Sequence, residues 1–456
     1  MSTAEVKVTA NTTWIDSDPA PAPRQRGAHA VIQVIGSRIL IQAINAGTGI
    51  ITARALMPSG RGQLAAMILW SQFLAYISSL GVPSSMIHAY RCYPAKRRAI
   101  VASGLFMSLC TGTLVTIIAA IFLPHWMHRY PAPIIRYAQW FLIITPICSL
   151  SFAGRGVLEA AGSFTSSNLM QILTPVATII PLIVLALFHS LTPFSAALCY
   201  IISALPTFYY LLLQLRPYVH GLKPDLGISK LLLSFGIRSY GIDLLGSLSV
   251  QLDQILVVNM LTPAEMGSYV VILSLSRTLT VFQNSVVTVL FPKASGLPSE
   301  AVLKLSEKSA RISLLVTSFF AVWVYIFGPI LLRILYGKAY VGAFNAFRII
   351  LVEVTLSGCV FVLAQAFMAV GRPGVVTILQ ATGLSLSIPL MLVLIPRWHI
   401  EGAATALLAS TIARFIFVIL GFRFFLKAPL PDLRPRLSDF EELRSIFHRR
   451  SAASAA

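Results

Sequence analysis

The chain has 456 residues, of which 56% are hydrophobic and only 11% are charged, and its mean hydropathy is +0.80. These values exclude an ordinary soluble domain, in which about a quarter of the residues are charged. The formal net charge of +19 does not indicate a nucleic-acid-binding protein, because the basic residues lie between apolar stretches and do not form one basic face. Composition therefore predicts an integral membrane protein.

Apolar stretches recur along most of the chain, and each is long enough to cross the hydrocarbon as a helix of about 20 residues. They are continuously apolar, whereas the strands of a membrane barrel alternate polar and apolar residues over about ten positions. The predicted fold is therefore an all-α polytopic bundle around a central cavity. The twelve predicted spans are 31–57, 64–90, 99–123, 135–158, 166–188, 194–215, 231–258, 267–291, 312–335, 344–370, 375–396 and 402–426.

Basic residues cluster in the loops that follow the second, sixth and eighth spans, whereas the loops of the other side hold only scattered ones. By the positive-inside rule the loops with the clusters lie in the cytoplasm together with both termini. Pro94 and Asp225 are then cytoplasmic, whereas Met127 and Trp398 are periplasmic. The basic residues of these loops are Arg91, Lys96, Arg97, Arg98, Arg216, Lys223, Lys230, Lys293, Lys304, Lys308 and Arg311.

The two ends of the chain differ in composition from the spans. The first tail is polar, rich in Ala and Pro, and is predicted to be disordered. In the second tail Ser438 precedes Glu441 by three residues, a capping-box pattern that predicts a short amphipathic helix on anionic membrane lipids. The predicted organisation is a cytoplasmic tail 1–30, an N-terminal six-helix lobe 31–215, a cytoplasmic linker 216–230, a C-terminal six-helix lobe 231–426 and a cytoplasmic tail 427–456.

An internal repeat relates the two lobes. The stretch ALMPSGRGQLAAMIL begins at residue 55, and NMLTPAEMGSYVVIL begins at residue 259. Pro58 and Pro263 are separated by 205 positions, as are Gly62 and Gly267. An even number of helices in each copy predicts two parallel repeats, related by an axis along the membrane normal, with a substrate site between them.

The two turns LMPSGRG and LTPAEMG, the GRPG turn at 371–374 and IPRWHIEGAATA at 395–406 resemble the multidrug/oligosaccharidyl-lipid/polysaccharide (MOP) exporter superfamily, and within it the Wzx-like flippases. The resemblance implies an alternating-access carrier in the bacterial inner membrane. Such a carrier moves an undecaprenyl-diphosphate-linked oligosaccharide from the inner to the outer leaflet for O-antigen, capsule or exopolysaccharide synthesis. The first span also resembles that of lipid II flippases, but Gln42 and Asn45 replace a mid-helix arginine usual there.

Several spans carry polar residues at helical spacing. A charge at the bilayer centre costs about 2.5–3.5 kcal/mol on insertion scales, so these faces are expected to line a cavity. The excess of arginine favours an anionic ligand, because guanidinium matches phosphate oxygens in pairs. The predicted substrate-binding residues are Arg38, Gln42, Asn45, Arg277, Asn284 and Arg414. The predicted gating or ion-coupling residues are Arg238, Asp243, Asp253 and Glu353.

One pair of these charges is linked by the repeat. Arg38 and Asp243 are separated by the same 205 positions, so they are expected to face each other and to pair when the carrier opens outward. The alternative is that Asp243 and Asp253 couple transport to a cation, either a proton or sodium.

Two other functions remain as alternatives. A multidrug antiporter of the same fold would use buried carboxylates, which the excess of arginine disfavours. A membrane polysaccharide polymerase or ligase would carry a large outer loop, whereas the longest break, 292–311, is short. We therefore expect no enzyme activity, cofactor, metal or nucleic-acid partner. Other polysaccharide-assembly proteins are further candidate partners.

Overall fold

The computed structural model describes residues 27–219, 223–294, 298–434 and 436. The tails predicted at 1–30 and 427–456 fall mainly outside this part of the chain, as does the amphipathic helix expected near Ser438. Fourteen α-helices lie within the described residues: α1 (Gly27–Ser78), α2 (Val82–Cys92), α3 (Arg97–Trp126), α4 (Ala132–Phe141), α5 (Ile144–Ala160), α6 (Phe164–Leu187), α7 (Pro193–Ile202), α8 (Ala204–Val219), α9 (Leu226–Met260), α10 (Pro263–Arg277), α11 (Thr280–Ala294), α12 (Ser299–Leu331), α13 (Phe344–Ala369) and α14 (Pro373–Phe424).

These helices account for the predicted spans. Eight helical segments of the described residues are long and apolar enough to cross a membrane. Two of them, Gly36–Cys92 and Pro373–Phe424, each contain two predicted spans. The spans predicted at 231–258 and 267–291 fall on α9 and on α10 with α11. The all-α polytopic fold is thus confirmed. Helix also covers both ends of the predicted linker, since α8 ends at Val219 and α9 begins at Leu226.

The longest helices are each interrupted at one residue. In α1 the backbone of Met57 is non-helical, with φ 57° and ψ 174°. Pro58 follows it, and a proline both lacks an N–H donor and disfavours helical geometry in the preceding residue. In α14 His399 is non-helical, with φ 50° and ψ −126°. Each break separates two predicted spans.

The Pro–Gly repeat brings the halves of the molecule together. We call α1–α8 the N-terminal half and α9–α14 the C-terminal half. A Cβ atom on Gly62 would lie 1.7 Å from the carbonyl oxygen of Pro263, and one on Gly267 would lie 1.9 Å from that of Pro58. The contacts are reciprocal, as a two-fold relation between repeats requires. Only glycine allows α1 and α10 to approach this closely.

The two halves share a hydrophobic core at one end of the bundle. This shared core contains Leu64 and Leu123 from the N-terminal half together with Tyr269 and Tyr340 from the C-terminal half, each fully buried. Leu123 lies near the end of α3, whereas the basic loop precedes this helix at Arg97. The shared core therefore lies at the end of the bundle opposite the basic loops, which we call the closed end.

At the other end, which we call the basic end, each half has its own core. Met86, Ile100 and Leu215 belong to that of the N-terminal half, and Val302 and Phe422 to that of the C-terminal half. The start of α9 is an exception, because part of it is buried in the N-terminal core. Two cores at one end and one at the other mean that the halves share less hydrophobic packing toward the basic end. They still touch there through α2 and α9, since a Cβ atom on Gly81 would lie 2.4 Å from the carbonyl oxygen of Gly236 and the rings of His88 and Phe235 stack with centroids 4.4 Å apart.

Candidate functional site

We place the predicted cavity between the halves at the level where α1 and α10 separate. These helices are in contact from Gly62 and Gly267 as far as Gly49, where a Cβ atom would lie 3.9 Å from Ser274 Oγ. Closer to the basic end, Asn45 is exposed on α1. The polar residues of α1 beyond this level therefore include exposed side chains.

The predicted substrate-binding residues of α1 occupy this accessible stretch. Arg38 and Asn45 are exposed, and Gln42 is half-buried. Farther along, the hydroxyl of Thr48 donates to the carbonyl of Asn45 at 2.8 Å, and that of Thr52 donates to the carbonyl of Thr48 at 2.7 Å. Since these hydroxyls bond to their own helix, the side chains best placed to meet a ligand are the first three.

An arginine and a carboxylate predicted from the sequence form an ion pair in the C-terminal half. Asp253 of α9 is 2% exposed. Its Oδ2 accepts a hydrogen bond from the Tyr269 hydroxyl at 2.7 Å and lies 3.4 Å from Nη2 of Arg277. The side chain of Arg277 is 33% exposed. The carboxylate is thus buried behind an arginine that is itself partly exposed.

A second ion pair joins α13 and α14. Oε1 of buried Glu353 accepts a hydrogen bond from the Thr411 hydroxyl at 2.8 Å, and Nη2 of Arg414 lies 3.9 Å away. Arg414 also donates to the Thr411 hydroxyl at 2.8 Å. The arginine packs over Gly383, where a Cβ atom would lie 2.5 Å from its Cδ. Arg414 is therefore held in place by packing as well as by charge.

The two ion pairs belong to one electrostatic cluster. Glu353 interacts with the charges of Arg277 and Asp253 as well as with that of Arg414. One oxygen of Asp253, Oδ1, is buried and has no hydrogen-bond partner among the described residues. Within the described part of the chain, no group of three or more His, Cys, Asp or Glu side chains could hold a metal ion. These two arginine–carboxylate pairs suit the binding of a charged ligand, which can replace one member of a pair.

Another arginine of the first helix lies at the closed end and connects the halves. Arg54 donates from Nε to the carbonyl of Leu335 at 2.9 Å and from Nη2 to that of Ile334. Nearby, the Tyr340 hydroxyl donates to the carbonyl of Ala53 at 3.0 Å. These bonds stabilise the contact between the halves on the side away from the basic loops.

Of three further predicted site residues, the structure describes the side chain of only one. Asn284 is exposed on α11. The side chains of Arg238 and Asp243 lie outside the described residues. The pairing of Arg38 with Asp243 consequently stays a prediction.

Two hydroxyl-bearing residues, Tyr269 and Thr411, were not anticipated from the sequence. Thr411 precedes Arg414 by three residues on α14, so helical spacing could have indicated it. Tyr269 sits in an apolar stretch of α10, and no local pattern marks it. Its role follows from the packing of α10 against α9.

The sequence of the chain matches a known protein family. The profile of a family described as polysaccharide biosynthesis protein matches residues 51–345, which is more than half of the chain. The chain belongs to this family. A search of curated protein sequences finds none that matches the chain.

Solved structures with a similar fold are transporters of the MOP superfamily. An inward-facing multidrug resistance MATE transporter is 17% identical, with a TM-score of 0.71, covering 85% of this chain and 94% of that chain. The lipid II flippase MurJ in an inward closed conformation is 13% identical, with a TM-score of 0.74, covering 89% of this chain and 88% of that chain. The polysaccharide biosynthesis protein therefore has the fold of this superfamily, as the sequence resemblance predicted.

An outward-facing MATE structure fits less well. It is 14% identical, with a TM-score of 0.59, and covers 87% of this chain and 94% of that chain.

Proposed function

We propose that this protein is a flippase that moves an undecaprenyl-diphosphate-linked oligosaccharide from the inner to the outer leaflet of the bacterial inner membrane for polysaccharide biosynthesis. The observation that carries the proposal is the arginine-bearing cavity of a protein in the polysaccharide biosynthesis family. Arg277 is partly exposed while its partner Asp253 is buried, so the group that this pair offers to a ligand is the positive one. The 3.4 Å separation is longer than a strong charge-assisted bond of about 2.8 Å. A diphosphate can therefore compete for the guanidinium.

The alternative function is multidrug antiport, as the described role of the MATE neighbour suggests. A cationic drug would need an accessible carboxylate. Asp253 is bonded by Tyr269 and Arg277, and Glu353 by Thr411 with Arg414 nearby, which disfavours this alternative. A polymerase or ligase is disfavoured by the fold, since the neighbours are described as transporters and a flippase.

The decisive experiment is leaflet-resolved transport of lipid-linked glycans by the full chain reconstituted in vesicles. Movement of undecaprenyl-diphosphate-linked glycans, with no effect of cationic drugs on the rate, would support the flippase. Drug efflux without glycan movement would establish the antiporter instead. Repeating the glycan assay with imposed proton and sodium gradients identifies the coupling cation.

Arg38→Ala is expected to lower the rate of glycan transport by about tenfold or more, because a charge-assisted hydrogen bond contributes about 1.5–3 kcal/mol. Arg38→Lys should recover part of the rate, since lysine keeps the charge and loses the planar fork. The rate of glycan transport in the same vesicles measures the effect of both substitutions. Arg348→Ala is the matched control, because exposed Arg348 stacks on Tyr325 and Phe344 away from the cavity. Equal rates for Arg38→Ala and this control would remove Arg38 from the site.

The proposed orientation places the basic end in the cytoplasm. Cysteines at Pro94 and Asp225 should resist an impermeant thiol reagent in whole cells, whereas cysteines at Arg129 and Trp398 should react. Arg129 replaces the neighbouring Met127, which is fully buried and would not react from either side. The five native cysteines must first be replaced. Labelling at Pro94 in intact cells would reverse the orientation.

A further inference from the structure

Two adjoining cavities lie on the N-terminal half, along the seam between α3 and α8. The first, of about 450 Å³, is lined by Tyr90, Arg97, Arg98 and Tyr218 among others; we call it the basic pocket. The second, of about 280 Å³, is lined mainly by leucine and phenylalanine side chains, with Arg216 among its lining residues; we call it the apolar groove. Every residue lining either cavity belongs to the N-terminal half, so neither is part of the cavity between the halves.

The two cavities follow one another along the same helices. On α3, Val101 lines the basic pocket and Leu105 lines the apolar groove, one helical turn apart. On α8, Tyr218 lines the pocket and Leu215 lines the groove, three residues apart and therefore on the same face of the helix. One turn of helix is about 5.4 Å. The two cavities thus lie in a row along α3 and α8, with the cationic one nearer the basic end of the bundle and the apolar one nearer the closed end.

The basic pocket is built to receive a phosphate group. The guanidinium of Arg97 lies 4.7 Å from the centroid of the Tyr90 ring, and its Nε donates to the Tyr90 carbonyl at 3.1 Å. These contacts orient the guanidinium and use one of its five N–H donors. Arg98 lines the same pocket and Arg216 lines the neighbouring groove, and both are exposed. Among the described residues, no carboxylate lines either cavity. Tyrosine side chains are typical of the membrane–water interface.

We propose that the two cavities together form a site that binds an anionic diacyl phospholipid from the leaflet at the basic end. Its phosphate would contact Arg97, Arg98 and Arg216, while an acyl chain occupies the apolar groove. Basic pockets between transmembrane helices on the cytoplasmic side commonly bind anionic headgroups. The site lies on one half only, so the lipid would stay with that half when the halves move. A transported lipid must instead reach the cavity between the halves. The proposal is therefore independent of the transported substrate.

Native mass spectrometry of the purified full chain tests the proposal, with phosphatidylglycerol and phosphatidylethanolamine of identical chains as probes. The wild-type protein should retain phosphatidylglycerol preferentially. Arg98→Gln/Arg216→Gln should lower that retention by about tenfold or more, since each basic residue near a lipid phosphate contributes measurably to binding. Arg423→Gln/Lys427→Gln, an equal loss of exposed charge in the C-terminal half, is the matched control. All four side chains are exposed, so folding should be unaffected.

A groove variant separates a lipid site from a simple anion site. Leu105→Trp fills the apolar groove and should also reduce retention of phosphatidylglycerol. If glycerol phosphate alone displaces the lipid, or if Leu105→Trp has no effect, the site binds anions and not lipids. An equal loss of phosphatidylglycerol retention in Arg423→Gln/Lys427→Gln would indicate that the lipid is attracted by the overall positive charge, and would overturn the proposal. Displacement of phosphatidylglycerol by equimolar undecaprenyl phosphate would assign the site to the polyprenyl lipid and overturn it as well.

Discussion

Replacing Arg277 with methionine is expected to lower the free energy of unfolding by about 3 kcal/mol and to stop transport. Asp253 is 2% exposed, and removing one partner of a buried ion pair leaves an uncompensated charge that costs about 3–5 kcal/mol. The lower value applies because Arg277 is 33% exposed and water screens part of the interaction. Thermal unfolding of the purified protein and glycan transport in vesicles measure the two effects.

A second substitution separates the contribution of Arg277 to stability from its contribution to transport. In Arg277→Met/Asp253→Asn the buried charge is absent, and the amide oxygen still accepts the hydrogen bond of Tyr269. Most of the stability should return, while transport stays absent because the guanidinium is missing. Lys304→Met is the control, since Lys304 and Glu300 form an ion pair with side chains 78% and 82% exposed, which contributes less than about 1 kcal/mol. Recovered transport in the double variant would show that Arg277 serves stability alone.

Substituting Gly62 with alanine is expected to open the closed end of the bundle. The added Cβ atom would lie 1.7 Å from the carbonyl oxygen of Pro263, which is backbone and cannot rotate away. The halves must separate there, so the conformation with the closed end shut should lose population. Gly267→Ala should act in the same way, because its Cβ atom meets the carbonyl oxygen of Pro58 at 1.9 Å.

Distances between spin labels at Arg129 and Lys338, exposed positions in the two halves, measure this opening. Both glycine variants should shift the distribution to longer distances. Gly342→Ala is the matched control, because nothing lies within 4 Å of a Cβ atom there. A distribution equal to that of the wild-type protein in both variants would show that α1 and α10 can move apart locally without separating the halves.

The hydrophobic pattern by itself determined the class of protein and the positions of its helices. A chain must bury its backbone polar groups to cross hydrocarbon, and an apolar run of about 20 residues can do so only as a helix. The repeated Pro–Gly turns also predicted two related halves, since they mark equivalent positions 205 residues apart. Their reciprocal contact in the structure agrees with that inference.

Tertiary packing alone decided which charges are paired. Helical spacing shows that Asp253 and Arg277 lie on polar faces, but not how each helix is rotated or which helix it meets. Arg54 illustrates this limit: in the sequence it lies near the end of the first predicted span, and in the structure it bonds to the carbonyl of Leu335, 281 positions away. Such contacts depend on the fit of whole helix surfaces, which no local pattern in the sequence encodes.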